Sequence, residues 1–161
     1  MGTGYDFKCP QCGARYDVYP GIGMMQPVLC RELIEKIRSG KKGKAWKEAY
    51  DRYAPYVATD GERCVFVCDE CGRWREAIDM TLYAPDDIEK AKEEYKEKRV
   101  EEDGCIPYLS DKKGFHAVKP FVCRCTKCKK NMRKAAKDEI RALPCPKCGA
   151  KNEARGLIMW D

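Results

Sequence analysis

The chain has 161 residues, 12 of them Cys and one His, with 36% charged residues and a formal net charge of +6. Its 43% hydrophobic and 10% aromatic content excludes a wholly disordered chain. Its longest apolar runs, such as Val65-Phe66-Val67, fall far short of the ~18 residues that span a bilayer, so no membrane span is expected. One or two domains fit this length, and two domains of about 80 residues each would need staples beyond a hydrophobic core. The first eight residues contain no apolar h-region, so no secretory signal is expected and a cytoplasmic location follows. Thiols are kept reduced there, and the excess of cysteine then points to metal rather than to disulfides.

Taken in chain order, Tyr5, Phe7 and Cys9 alternate ahead of a first Cys-x-x-Cys pair, and Tyr16 and Val18 follow it, which predicts a hairpin. Pro27 opens a predicted helix to about Ser39, stopped by Gly40, with Cys30, Leu29, Leu33, Ile34 and Ile37 on one face. A second helix, at about Lys44 to Ala54, places Trp46, Ala49, Tyr50 and Tyr53 on one face as core, and Pro55 ends it. Both helices are expected to pack on the first β-unit. Cys64-Val65-Phe66-Val67-Cys68 reads as a strand, and Trp74 to Leu82 as one amphipathic strand. Pro85-Asp86-Asp87 caps a polar helix predicted to run to about Arg99. Gly104 to Lys113 reads as a loop, and the domain boundary is placed there, giving domains 1–103 and 104–161. The second domain contains strands around Phe115-His116-Ala117-Val118 and Phe121-Val122-Cys123, a short helix near Asp138 to Leu143, and a closing strand Leu157-Ile158-Met159-Trp160.

Eight cysteines form four Cys-x-x-Cys pairs: Cys9/Cys12, Cys68/Cys71, Cys125/Cys128 and Cys145/Cys148. Two intervening residues let the chain turn back so that both sulfurs face one cation. Glycine tolerates the left-handed conformation on leaving such a turn. It stands there as Gly13, Gly72 and Gly149, but the third pair has Lys129 instead and departs from the pattern. Two turns facing each other complete a tetrahedral Cys₄ site, which suits zinc. Cys125/Cys128 and Cys145/Cys148, with 16 residues between Cys128 and Cys145, are expected to pair. Cys9/Cys12 and Cys68/Cys71 would then form the other site across 55 residues, with a crossed arrangement, first pair facing fourth, as the alternative.

The Cys-Pro-x-Cys-Gly turns resemble those of the zinc-ribbon superfamily, and the arrangement as a whole resembles bacterial proteins with two such ribbons. The resemblance covers the four turns and their flanking strands, and it implies metal-stapled antiparallel β-units without implying a task. The expected fold class is α+β: two small antiparallel β zinc ribbons, the first with a helical insertion, joined by a charged helix or linker. The turns are also similar to those of rubredoxins, in which four thiolates hold iron for electron transfer, so iron is the alternative to two zinc ions per chain. Cys30, Cys64, Cys105 and Cys123 are left over and read as core thiols. A third Cys₄ site, or Cys123 as an alternate ligand, are the sharper readings of the same residues.

Each Zn(Cys)₄ unit carries −2, so two of them lower the formal +6 to +2. The remaining positive charge concentrates between Lys112 and Lys137, where ten basic residues occur without an acidic one. That stretch could contact nucleic-acid phosphates. The favoured reading is structural: the lysines offset a negative metal centre and partly dock on the acidic helix. His116 is the one histidine, and no Walker, GxGxxG or HExxH motif is present. A non-catalytic adaptor or binding protein is therefore expected, with a protein or nucleic-acid partner and no small-molecule substrate.

Overall fold

A computed structural model of the protein describes residues 2–90, 92, 93, 112 and 114–160. The molecule is mixed α+β with small antiparallel sheets. Strands β1 (Gly2–Lys8), β2 (Arg15–Val18) and β8 (Ala154–Trp160) form one sheet in the order β2-β1-β8. Strands β3 (Arg63–Val67), β4 (Trp74–Ile78) and β7 (Arg133–Lys134) form a second, in the order β4-β3-β7. Strands β5 (Leu82–Pro85) and β6 (Phe115–Lys119) pair as a third.

The chain divides into two compact units. Unit 1 gathers residues 1–24, 62–78 and 122–161, and unit 2 gathers residues 25–61 and 79–121. This division cuts across the expected domains 1–103 and 104–161. The reason is strand pairing: β1, near the N-terminus of the chain, pairs along its length with β8 near the other end, from Gly2 opposite Trp160 to Phe7 opposite Ala154. Both of the first two sheets therefore lie in unit 1. The core of that unit is Tyr5, Phe7, Val18, Val65, Ile140 and Leu143, with Tyr16, Val67, Trp74, Ala135 and Ala154 packed against it. Phe7 is wholly buried and stacks on Tyr16 with ring centroids 4.8 Å apart. Ile140 comes from the short helix α3 (Lys137–Arg141), where the Glu139 carboxylate accepts the Ala136 N–H at 2.7 Å and so satisfies one helix-start donor.

Unit 2 contains α1 (Gln26–Arg38) and α2 (Lys44–Tyr53) together with β5 and β6. Pro27 sits in the first turn of α1, and Gly40 closes its end with φ +78° and an N–H bond to the Ile37 carbonyl. Cys30, Leu33 and Ile37 are buried on one face of α1, as the periodicity predicts, whereas Leu29 and Ile34 are only half-buried. The expected core face of α2 is shallower: Trp46, Ala49, Tyr50 and Tyr53 are all half-buried. In the same unit Asp60 is buried, and its carboxylate takes the Lys112 ammonium at 2.7 Å.

One expected strand is two. The run from Trp74 to Leu82 breaks after Ile78, because Asp79 Oδ1 accepts both the backbone N–H of Thr81 at 2.9 Å and its hydroxyl at 2.6 Å. That local turn ends β4 in unit 1 and starts β5 in unit 2. The predicted helix after Pro85 begins as expected, with Asp87 Oδ1 accepting the Lys90 N–H at 3.0 Å and helical residues at 88–90 and 92–93. Its continuation to Arg99, the boundary loop from Gly104 and Cys105 lie outside the described residues. Among the described residues, no helix is long and apolar enough to cross a membrane.

Candidate metal centres

All four Cys-x-x-Cys turns adopt one backbone geometry. The carbonyl of the first cysteine accepts the N–H four residues on: Gly13 to Cys9 at 3.0 Å, Gly72 to Cys68 at 2.8 Å, Lys129 to Cys125 at 3.1 Å and Gly149 to Cys145 at 2.8 Å. The N–H of each first cysteine in turn donates to the carbonyl five residues on, at 2.8 to 2.9 Å, so that every turn is closed from both sides. This closure requires a positive φ on leaving the turn, and Gly13, Gly72 and Gly149 supply it at +69°, +68° and +76°. Lys129 adopts the same geometry at φ +62°, with its ammonium bonded to the Thr126 carbonyl at 3.0 Å. The third turn is thus formed like the others, at a conformational cost of ~1–2 kcal/mol. Lys129→Gly is expected to stabilise unit 1 by about 1 kcal/mol, read as a rise in the midpoint of chemical unfolding. An unchanged or lowered midpoint would show that the Thr126 contact outweighs the strain.

The turns meet in the crossed order. Cys9, Cys12, Cys145 and Cys148 form one tetrad, and Cys68, Cys71, Cys125 and Cys128 form the other, with the sulfurs of each tetrad all within 4.8 Å of one another. This corrects the expected pairing of neighbouring turns. The physical reason is the sheet partnership described above: β1 leads into the first turn and pairs with β8, which follows the fourth. A signal for it lay in the sequence. The two turns that contain proline, Cys9-Pro10-Gln11-Cys12 and Cys145-Pro146-Lys147-Cys148, pair with each other, and the two that lack it pair with each other.

The closest sulfur–sulfur separations are 3.5 Å (Cys9–Cys148) and 3.7 Å (Cys12–Cys145) in the first centre, and 3.3 Å (Cys68–Cys128) and 3.6 Å (Cys71–Cys125) in the second. Four sulfurs at ~2.3 Å from a tetrahedral ion stand ~3.8 Å apart, so each tetrad has the dimensions of a cation cage with little adjustment. The first cysteine of every pair is buried. The second is exposed in Cys12 and Cys148, and half-buried in Cys71 and Cys128.

The protonation of these thiols explains why a cation belongs there. The Cys12 N–H, ahead of other terms, pulls the Cys9 thiol down to about 6, and the Cys128 N–H does the same for Cys125, also to about 6. The Cys148 N–H lowers Cys145. Cys128 and Cys148 go the other way. The Lys130 N–H favours the Cys128 thiolate, but the Cys68 sulfur, burial and the remaining sulfurs outweigh it and push Cys128 up to about 11. At Cys148 the Ala150 N–H is likewise outweighed by burial and the three facing sulfurs, and the thiol rises to about 12. These opposed shifts disfavour four thiolates in either tetrad unless a cation offsets them. At pH 7, Cys128 and Cys148 are protonated without metal, so ligation must release at least one proton from each centre, and metal affinity must fall as pH is lowered. Calorimetric titration with Zn²⁺ in buffers of different ionisation enthalpy reads that number directly. A proton count of zero would contradict thiolate ligation at these cysteines.

The remaining described cysteines lie outside both tetrads. Cys30 is buried with its thiol 3.5 Å from the Thr59 carbonyl, Cys64 contacts the Glu62 carbonyl at 3.8 Å, and Cys123 contacts Met132 Sδ at 3.9 Å. Burial raises the Cys123 thiol, which suits packing rather than ligation. Among the described residues no third cysteine cluster is present. His116 is exposed, with Nδ1 2.8 Å from Asp86 Oδ1. Three residues of the basic stretch are held in ion pairs: besides Lys112, Arg133 bridges Asp69 at 2.9 Å and Glu139 at 2.5 Å, and Lys134 reaches Glu62 at 3.4 Å. Sequence reasoning passed over a cluster of cations outside that stretch, Arg73, Arg75 and Lys147, which line a cleft beside the two centres.

The residues present fit a tetrahedral metal ion in both places, and four thiolates suit zinc or iron alike. No family model matches the chain, and no curated protein or solved structure is significantly similar to it.

Proposed function

We propose that the protein is a non-catalytic tandem zinc-ribbon module, whose two Cys₄ zinc centres staple a small unit that serves as an adaptor or binding surface in a reducing, cytoplasmic environment. The observation that carries this reading is the completeness of both tetrads. Four protein sulfurs converge at each centre, a donor set that closes the coordination sphere and leaves no position for a substrate or an activated water. Zinc in such a cage contributes folding free energy rather than chemistry. The partner on this reading is a protein or a nucleic acid.

Elemental analysis of the purified protein, together with its absorption spectrum, tests the proposal. Two zinc per chain in a colourless protein is the expected result. Two iron per chain, with the visible bands of ferric thiolate and a reversible one-electron wave, would replace the proposal with a rubredoxin-like electron carrier.

A further inference from the structure

Unit 1 carries the whole formal charge of the protein: its three stretches contain 16 basic and 10 acidic residues, while unit 2 is balanced at 16 of each. With zinc in both centres, +2 remains on unit 1. Within the basic stretch, Arg133 and Lys134 are already paired with Asp69, Glu139 and Glu62. Three further cations, Arg73, Arg75 and Lys147, lie outside that stretch.

A cleft of about 690 Å³ lies against both metal centres, lined by Arg73, Arg75, Thr126 and Lys147 together with turn residues from each centre. No carboxylate lines it. Arg73, Arg75 and Lys147 are all exposed, and among the described residues none of them forms an ion pair. Four ligand sulfurs also line the cleft: Cys125 and Cys145 are buried, Cys71 is half-buried and Cys148 is exposed. Arg124 and Lys127 are exposed on either side of Cys125, beside the lining residue Thr126, and extend the positive surface. Trp74 Nε1 donates to the Pro144 carbonyl at 2.7 Å, tying the strand that carries Arg75 to the segment that leads into Lys147. Three convergent cations without a carboxylate form a site for oxyanions, and guanidinium groups suit phosphate in particular.

We propose that this cleft binds the phosphodiester backbone of single-stranded nucleic acid. Its volume lies in the ~300–1,000 Å³ range of clefts that enclose a small ligand, which suits one or two nucleotides of a strand passing through. A concave site of this size accepts an unpaired strand or an end. Reading a duplex instead calls for an element that protrudes into a groove. The proposal rests on the reading of the protein as a metal-stapled binding module, since loss of either centre would dissolve one wall of the cleft.

The test is fluorescence anisotropy of a labelled oligothymidylate with the two-zinc protein, repeated across salt concentrations, with unlabelled duplex, ATP and inorganic phosphate as competitors. The strand should bind, and binding should weaken as salt rises. The triple variant Arg73→Ala/Arg75→Ala/Lys147→Ala should lose affinity by about tenfold or more, and its slope of log K against log salt should flatten by about two, at ~0.7 per phosphate contact on single strands. Its zinc content and melting temperature should stay those of the parent, while Lys137→Ala, in the basic stretch but outside the cleft lining, should bind as the parent does. Absence of binding at low salt by a protein that holds two zinc would overturn the cleft proposal alone. So would equal affinity of parent and triple variant, or competition by duplex, ATP or phosphate as effective as by the strand. A protein without zinc would overturn the underlying reading instead.

Discussion

Replacing Cys145 and Cys148 by Ser is expected to release the β2-β1-β8 sheet, and with it the N-terminal hairpin, although β1 lies more than 130 positions from either substitution. The fourth turn faces the first, with Cys148 3.5 Å from Cys9 and Cys145 3.7 Å from Cys12. Zinc in a small Cys₄ site contributes ~10–16 kcal/mol of apparent free energy, as large as the ~5–15 kcal/mol that holds a whole domain together. Unit 1 is assembled from three separate stretches of chain around one modest core, so it has little reserve when that contribution is lost. Hydrogen exchange reads the outcome by residue. The amides of Tyr5 to Lys8 should lose their protection, while those of β3 and β4, beside the intact second centre, should keep more of theirs. Retained protection in β1 together with its loss around β7 would mean that the fourth turn closes on the third.

The second large effect is expected at Phe7. Its side chain is 0% exposed, stacks on Tyr16 at 4.8 Å with ring planes 5° apart, and sits in the cluster that joins residues of both sheets of unit 1 through Val65. Truncating a fully buried Phe to Ala removes its transfer free energy and leaves a cavity, together about 3–5 kcal/mol. In a unit of this size that corresponds to a fall in Tm on the order of 20 °C. Thermal unfolding with zinc in excess measures it, the excess keeping metal loss from being mistaken for the packing term. A fall of only a few degrees would show that the metal centres, rather than this cluster, carry the unit.

The local features of the molecule could be read from its sequence because their causes are local. Pro27 and Gly40 bound α1, Cys30 faces inward with Leu33 and Ile37, and all eight Cys-x-x-Cys residues converge in tetrads that could each hold a metal ion. What nearness in sequence did not reveal is which turn meets which. Loop-closure entropy explains the failure: lengthening the span from 55 residues to the 132 between Cys12 and Cys145 costs less than about 1 kcal/mol. The register from Gly2 opposite Trp160 to Phe7 opposite Ala154 outweighs so small a difference. The same non-local control separates Leu82 from the strand it continues in sequence. Asp79 turns the chain, and Leu82 finds its partner at Lys119. Arg73, Arg75 and Lys147 form no run for a related reason, since the first two follow the second turn and the third lies in the distant fourth.

The crossed pairing of the four turns can be read from the metal content of two variants by native mass spectrometry. In one variant the first and fourth turns lose their thiols (Cys9→Ser, Cys12→Ser, Cys145→Ser, Cys148→Ser). In the other the first and second do (Cys9→Ser, Cys12→Ser, Cys68→Ser, Cys71→Ser). Crossed pairing predicts one metal ion per chain in the former, held by Cys68, Cys71, Cys125 and Cys128, and none held by a complete tetrad in the latter. The reverse, no metal in the first variant and one per chain in the second, would contradict it.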